Sequence, residues 1–203
     1  MANSSTASDI DAIIILGGGT AARLGGVSKP DYLVGGKRLI DHLFEQLRLT
    51  GFAGQIVLVA PDDVSVPRSV RLTLEEPPHG GPLAGTGAGV GELVELPDES
   101  MVALATCDAP LSVSILPQLT EALDRDDSAG TDGAVPVDET GWPQYSFGVY
   151  RLGALRKLSF DRDGSIRSQF EKLSLSRVQT DTAALIDVDT PQDAALMEKM
   201  VRG

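Results

Sequence analysis

Ala12-Ile13-Ile14-Ile15-Leu16-Gly17-Gly18-Gly19-Thr20-Ala21-Ala22-Arg23-Leu24-Gly25-Gly26-Val27-Ser28-Lys29 joins an unbroken apolar run to a loop rich in glycine that carries two cations. The run reads as a strand buried on both faces. The loop reads as an anion cradle. With no Cβ in the way, Gly17, Gly18 and Gly19 let the backbone come close to an anion and turn successive N–H groups toward it. Arg23 adds a planar fork and Lys29 a mobile point charge, a set suited to a triphosphate whose charge builds up on departing pyrophosphate.

The spacing Gly17-x-Gly19-x-x-Ala22 also satisfies a dinucleotide-binding fingerprint, but its surroundings do not. That motif opens a helix within the glycines and is followed by a strand ending in an acid. Here helical periodicity begins only near Lys37, after a loop of roughly 20 residues, and loops that long inside a domain usually have a task. The stretch where the second strand should stand reads as helix. No Gly-Lys-Ser/Thr closes a Walker loop.

Outward from this segment, β-branched runs alternate with helical patterns. Strands are predicted at 12–16, 55–60, 70–74, 101–106, 133–137 and 145–150, with a short one near 184–188. Helical spacing is predicted at 39–49, 83–95, 112–125, 152–158, 165–173 and 191–201. This βαβ order implies a mostly parallel sheet with right-handed crossovers. Residues 1–9 are expected to fray, and 10–203 to form one domain.

A net charge of -12 argues against a nucleic-acid surface. The acidity is uneven, because Arg151, Arg156, Lys157, Arg162, Arg167, Lys172 and Arg177 face only Asp161, Asp163 and Glu171. That stretch is either a solvated surface or a site for a second, phosphorylated substrate. A single cysteine, Cys107, fits a reducing compartment, and neither a signal peptide nor a membrane span is readable, so the expected location is cytoplasmic. Two histidines and no paired cysteines make a zinc site unexpected.

Leu16-Gly-Gly-Gly-x-x-x-Arg23-Leu-Gly25-Gly26-Val-x-Lys29 resembles the signature of the MobA-type nucleotidyltransferases, above all the molybdenum cofactor guanylyltransferases. Gly81-Pro82-Leu83-Ala84-Gly85, Cys107-Asp108-Ala109-Pro110 and Asp187-Val-Asp189-Thr190-Pro191-Gln192-Asp193 match in order, so the resemblance spans nearly the whole chain. It implies a three-layer α/β/α sandwich around a Rossmann-like, mainly parallel sheet, as in the nucleotide-diphospho-sugar transferases. It implies that Leu16, Gly17, Gly18, Gly19, Glu76 and Gly81 lie at the nucleotide, that Arg23 and Lys29 neutralise its phosphates, and that Asp108 holds Mg²⁺. Asp189 is a weaker second metal contact, and the pair Asp187 and Asp189 serves equally well as a helix cap. Asp108 has a structural alternative of its own, capping the helix near Ser112. Trp142 and Tyr145 belong either to the core or to the wall of a flat, pterin-sized pocket.

Four positions depart from the pattern: Ser28 replaces the Asp usual before the Lys, Ala60 an Asn that helps read the base, and Asp187 and Asp189 two Asn residues. The implied reaction is Mg²⁺-dependent transfer of GMP from GTP to the phosphate of molybdopterin, with pyrophosphate released. An ionised acceptor phosphate needs no general base, in keeping with the absence of a His or Glu base from the motifs. CTP remains an alternative donor, a sugar-phosphate cytidylyl- or guanylyltransferase an alternative enzyme, and a nucleotide-binding regulator the alternative outside catalysis. Molybdoenzymes or cofactor-handling proteins are the implied partners, with neither nucleic acid nor membrane expected.

Overall fold

In the computed structural model, residues 7–18, 20–21, 27–126 and 130–202 are described. β1 (Ala12–Leu16) is buried at every position and sits inside a seven-stranded sheet. After two short hairpin strands, β2 (Thr20–Ala21) and β3 (Val27–Ser28), and a second hairpin, β4 (Leu33–Val34) and β5 (Lys37–Arg38), comes α1 (Leu39–Leu49). β6 (Gln55–Val59), β7 (Val70–Thr73), α2 (Gly81–Gly91), β8 (Met101–Thr106), α3 (Leu116–Asp126) and β9 (Gly133–Val137) follow. The chain ends through β10 (Val149–Arg151), α4 (Leu152–Leu155), α5 (Ile166–Phe170), β11 (Leu175–Gln179) and α6 (Pro191–Arg202).

The sheet order is β11-β9-β10-β8-β1-β6-β7. β10 alone runs antiparallel to its neighbours; every other pairing is parallel. Alternation along β1 divides the core. Ile13 and Ile15 pack with Leu43 and Leu47 of α1 and Leu119 and Leu123 of α3, while Ile14 and Leu16 pack with Leu83 and Val90 of α2 and with Phe170 of α5. Helices therefore cover both faces, as the continuous apolar strands required.

Four expectations change. Tyr145–Phe147 is a 3-10 turn and only Val149–Arg151 is strand, because the Tyr150 hydroxyl donates 2.6 Å to the Tyr145 carbonyl and folds that stretch back. Thr182–Leu185 is also a 3-10 turn, nucleated where the Asp181 carboxylate accepts the Ala183 N–H at 3.0 Å. β11 went unpredicted; Leu-Ser-Arg-Val-Gln lacks apolar alternation, and its pairing partner, β9, lies far back in the chain. Ala7–Asp9, expected to fray, forms a 3-10 turn with Ala7 fully buried against the first core, and residues 1–6 lie outside the described residues.

Candidate active site at the carboxyl rim of the sheet

Leu16 and Thr106 are register partners, so the chain leaving β1 and the chain leaving β8 emerge side by side. The Cys107 N–H donates 3.0 Å to the Leu16 carbonyl and extends that pairing one residue beyond the strands. β6 and β7 lie on one side of β1 and β8 on the other, which makes this rim the point where strand order reverses and ligands of open α/β sheets settle.

A cleft of about 610 Å³ opens there, within the range of about 300–1,000 Å³ typical of small-molecule sites. Leu16, Val59 and Leu74 make its apolar floor; Gly18, Gly81 and Gly85 bring backbone to its wall; Glu75, Thr106 and Asp108 supply oxygen. Thr106 Oγ1 is buried without a hydrogen-bond partner, a group whose desolvation a bound polar ligand would offset. α2 opens at Gly81 with no side-chain cap, so the N–H groups of its first turn face the cleft and favour an anion.

Lys29 stands in the 3-10 turn Lys29–Asp31, with Pro30 buried beneath it. Its ammonium donates 2.5 Å to Asp108 Oδ2 and 2.8 Å to Asp189 Oδ1. Burial alone would lower the Lys29 pKa, but the hydrogen bonds and charges of Asp108 and Asp189 overcome that and hold the amine protonated. Next to Lys29, Asp31 is gripped by Arg38 Nη1 at 3.0 Å while Arg38 holds both Asp41 oxygens at 2.8 Å, so the turn is moored to the start of α1. Asp187 lies at the edge of the group. Partial burial, then the charges of Asp108 and Asp189, push its carboxyl up to about 6, with Lys29 opposing.

The structure separates the alternatives left open for the aspartates. The 3-10 turn Pro110–Ile115 has Ala109 at its N-cap and no side-chain cap, so Asp108 is free of capping duty. α6 is capped by Thr190 and Asp193: the Asp193 carboxylate accepts from Thr190 N at 2.8 Å and Oγ1 at 2.7 Å, and Thr190 Oγ1 accepts the Asp193 N–H at 3.3 Å. This reciprocal box leaves the Asp189 carboxylate to Lys29. Among the described residues no three His, Cys, Asp or Glu side chains close on a metal by themselves. Two carboxylates that already share one cation do fit a hard divalent ion that completes its shell with phosphate oxygens and water.

Two expected roles shift. Gly17 does not offer its N–H to an anion, because it donates 2.8 Å to the Val59 carbonyl. Its contribution is steric: a Cβ there would meet Leu58 at 3.0 Å and both Ala60 and Pro30 at 3.1 Å. Gly18, with nothing within 4 Å of that direction, is the glycine that fronts the cleft. The structure places Glu75 in the cleft, accepting the Gly80 N–H at 3.0 Å, whereas Glu76 faces a neighbouring pocket beside Phe160 and Arg162. Leu16, Gly81 and Asp108 line the cleft as expected, and Gly19 and Arg23 lie outside the described residues.

Sequence reasoning missed Glu75, Thr106 and Arg162. Arg162 donates 2.8 and 3.0 Å to the carbonyls of Pro77 and Pro78, and Asp163 donates its N–H 2.7 Å to Gly80, so the cleft loop is strapped from a distant segment. The run of prolines and glycines at 77–82, too broken to pair its own backbone as helix or strand throughout, was the available signal for such a strap.

The chain has relatives among known proteins. Residues 13–178 match the MobA-like NTP transferase domain. A molybdenum cofactor guanylyltransferase of Albidiferax ferrireducens is 30% identical over 165 residues, covering 74% of each chain, and one of Burkholderia cenocepacia is 33% identical over 148 residues, covering 68% of this chain and 69% of that protein. The fold recurs in the molybdopterin-guanine dinucleotide biosynthesis protein A of Archaeoglobus fulgidus, with a TM-score of 0.66 at 19% identity over 94% of this chain and 98% of that one. It recurs also in a 4-diphosphocytidyl-2C-methyl-D-erythritol synthase, with a TM-score of 0.65 at 18% identity over 95% of this chain and 98% of that one. With the glycine loop, the Lys29-bridged aspartates and the rim cleft in these positions, the chain belongs to the MobA-like NTP transferase family.

Proposed function

We propose that the protein transfers GMP from GTP to the terminal phosphate of molybdopterin and releases pyrophosphate. The observation that carries this reading is the bridge from Lys29 to Asp108 and Asp189 at the mouth of a nucleotide-sized cleft. Gly18 and the first turn of α2 fix the phosphate chain, and Lys29, with Arg23, balances charge on the departing pyrophosphate. The acceptor phosphate is ionised at neutral pH, so the site does its work by orientation and charge.

Asp108, with Asp189 beside it, would hold Mg²⁺, which when bound supplies Lewis-acid neutralisation of the phosphates. The names of the curated relatives support the guanylyl donor and the molybdopterin acceptor. Cys107, free and buried, suits action in a reducing cytoplasm, where the finished cofactor passes to molybdoenzymes or cofactor-handling proteins.

Pyrophosphate release with molybdopterin tests the reading, with GTP and CTP in parallel and Mg²⁺ present or chelated. GTP-dependent, Mg²⁺-dependent release is expected. Release with CTP alone would assign the cytidylyl reaction. That arm has a structural motive, since Ala60 is 1% exposed, packed under Gly17, and carries no polar group to read a base.

A further inference from the structure

We propose that a second pocket, walled by the loop 138–145, α5 and β11, seats the flat ring of the acceptor: a small bicyclic heteroaromatic carrying an anionic arm. The inference rests on the transfer reading for the role of its ligand, and on separate residues for its chemistry.

The pocket encloses about 230 Å³, against about 610 Å³ for the donor cleft, which suits a ring system and is too small for a whole nucleotide. Its floor is apolar, from Val135, Phe170, Leu173 and Leu175. Trp142 stands at its side, still 46% exposed, an unusual setting for a large aromatic side chain. The Arg167 guanidinium lies 4.3 Å from the Trp142 ring centroid and leaves part of the indole open to a further flat partner.

The loop is built before any ligand arrives. The Asp138 carboxylate accepts the N–H groups of Thr140 and Trp142 at 2.9 Å each and the Thr140 hydroxyl at 2.6 Å. On the other flank Tyr145 is held by the Tyr150 hydroxyl and rests 6.1 Å from Phe170. A stacking surface on a fixed base loses little entropy on binding.

The charge also fits. Arg177 points to the same face as Leu175, two residues earlier on β11, and among the described residues it has no ion-pair partner. Arg167, besides its place over Trp142, makes a 3.5 Å ion-pair contact with Glu171. An unpaired guanidinium beside an aromatic wall recognises an anionic, planar ligand.

Position connects this pocket to the chemistry. β8 and β9 are parallel to each other across the reversed β10, so their carboxyl ends share one rim, and Val135 and Leu16 belong to the same face of the sheet. Two strand spacings separate β8 from β9, about 10 Å. A ring seated against Trp142 would direct its phosphate arm along this rim toward Asp108.

Trp142 is the single tryptophan of the chain, so its fluorescence reports this pocket alone. Titration with 6-hydroxymethylpterin, a ring without the phosphate, should quench it saturably, and Arg177→Gln should weaken binding of molybdopterin. In pyrophosphate-release assays, Trp142→Ala should raise the KM for molybdopterin roughly tenfold, the scale of one lost ring stack, with the Kd for GTP unaltered and Trp142→Phe restoring most of the loss. A folded Trp142→Ala variant with an unchanged KM overturns the proposal, as does pterin quenching that fails to saturate or an Arg177→Gln variant that binds molybdopterin as tightly as the wild type. If GTP and molybdopterin yield no pyrophosphate with the wild type, the transfer reading fails instead, and the pterin titration still decides the pocket.

Discussion

Gly89 of α2 lies directly over Ile14 of β1: a Cβ at Gly89 would sit 2.4 Å from Ile14 Cγ2, well inside contact distance. The helix is rich in glycine, GPLAGTGAGVG, and approaches the sheet closely enough for Gly85 to face Leu16 and Val59. That approach sets the height of the Gly81 turn above the cleft. Gly89→Ala is expected to lower stability by roughly 1–3 kcal/mol through overpacking and to weaken GTP binding through displacement of the α2 start. Urea denaturation alongside GTP titration checks both, and unchanged binding in a destabilised variant would show that α2 height does not govern the cleft.

Removing either end of the central bridge should affect turnover far more than folding. Lys29→Met and Asp108→Asn are each expected to reduce pyrophosphate release at least about 100-fold, the range found when one charge-stabilising group is lost from an active site. The melting temperature should move little for Asp108→Asn, since the Lys29–Asp189 contact at 2.8 Å remains. Steady-state rates beside thermal melts distinguish a catalytic from a structural loss.

Asp187 gives the metal-free protein a pH signature. Its folded carboxyl titrates at about 6, above its ordinary value of 3.8, so between those values the folded state holds a proton that the unfolded state has released. Stability therefore falls as pH rises from about 4 to about 6, and the charged form stays unfavourable above that. Asp187→Asn should remove this component, leaving it more stable than the wild type at pH 7.5 and nearly equal at pH 4. Urea midpoints across that range in the presence of a chelator measure it; an identical pH profile in both proteins would contradict the assignment.

Arg162 should act on the donor side without touching substrate. Arg162→Ala frees the Pro77 and Pro78 carbonyls and loosens the loop that carries Glu75 and Gly81, so KM for GTP is expected to rise several-fold with kcat nearly kept. Lysine supplies one ammonium in place of the fork and should restore only part of the affinity. Equal loss of kcat and kcat/KM in the alanine variant would place Arg162 in the transition state instead.

The sheet was legible because β1 and β9 are apolar from end to end and β8 as far as Thr106, and burial on both faces leaves no other reading. The glycine loop and Asp108 were legible for a similar reason: each stands where a strand runs out. Glu75 was not, since β7 stops at Thr73 and strand alternation no longer tells which of two adjacent glutamates turns inward. Gly17 was misjudged because composition records a missing side chain and not what the backbone N–H already holds. The mooring of Asp31 by Arg38, and the strap from Arg162, join residues that only the folded chain brings together.

The reversed direction of β10 divides the working rim into two districts. Loops leaving β1, β7 and β8 line the larger cleft, while beyond β10 the smaller pocket belongs to the segments around Trp142 and Arg177. Changes of sequence in 138–145 or 166–177 can thus retarget the acceptor while the cradle for the triphosphate is inherited intact. A single antiparallel strand makes one half of this enzyme free to diversify and the other free to stay the same.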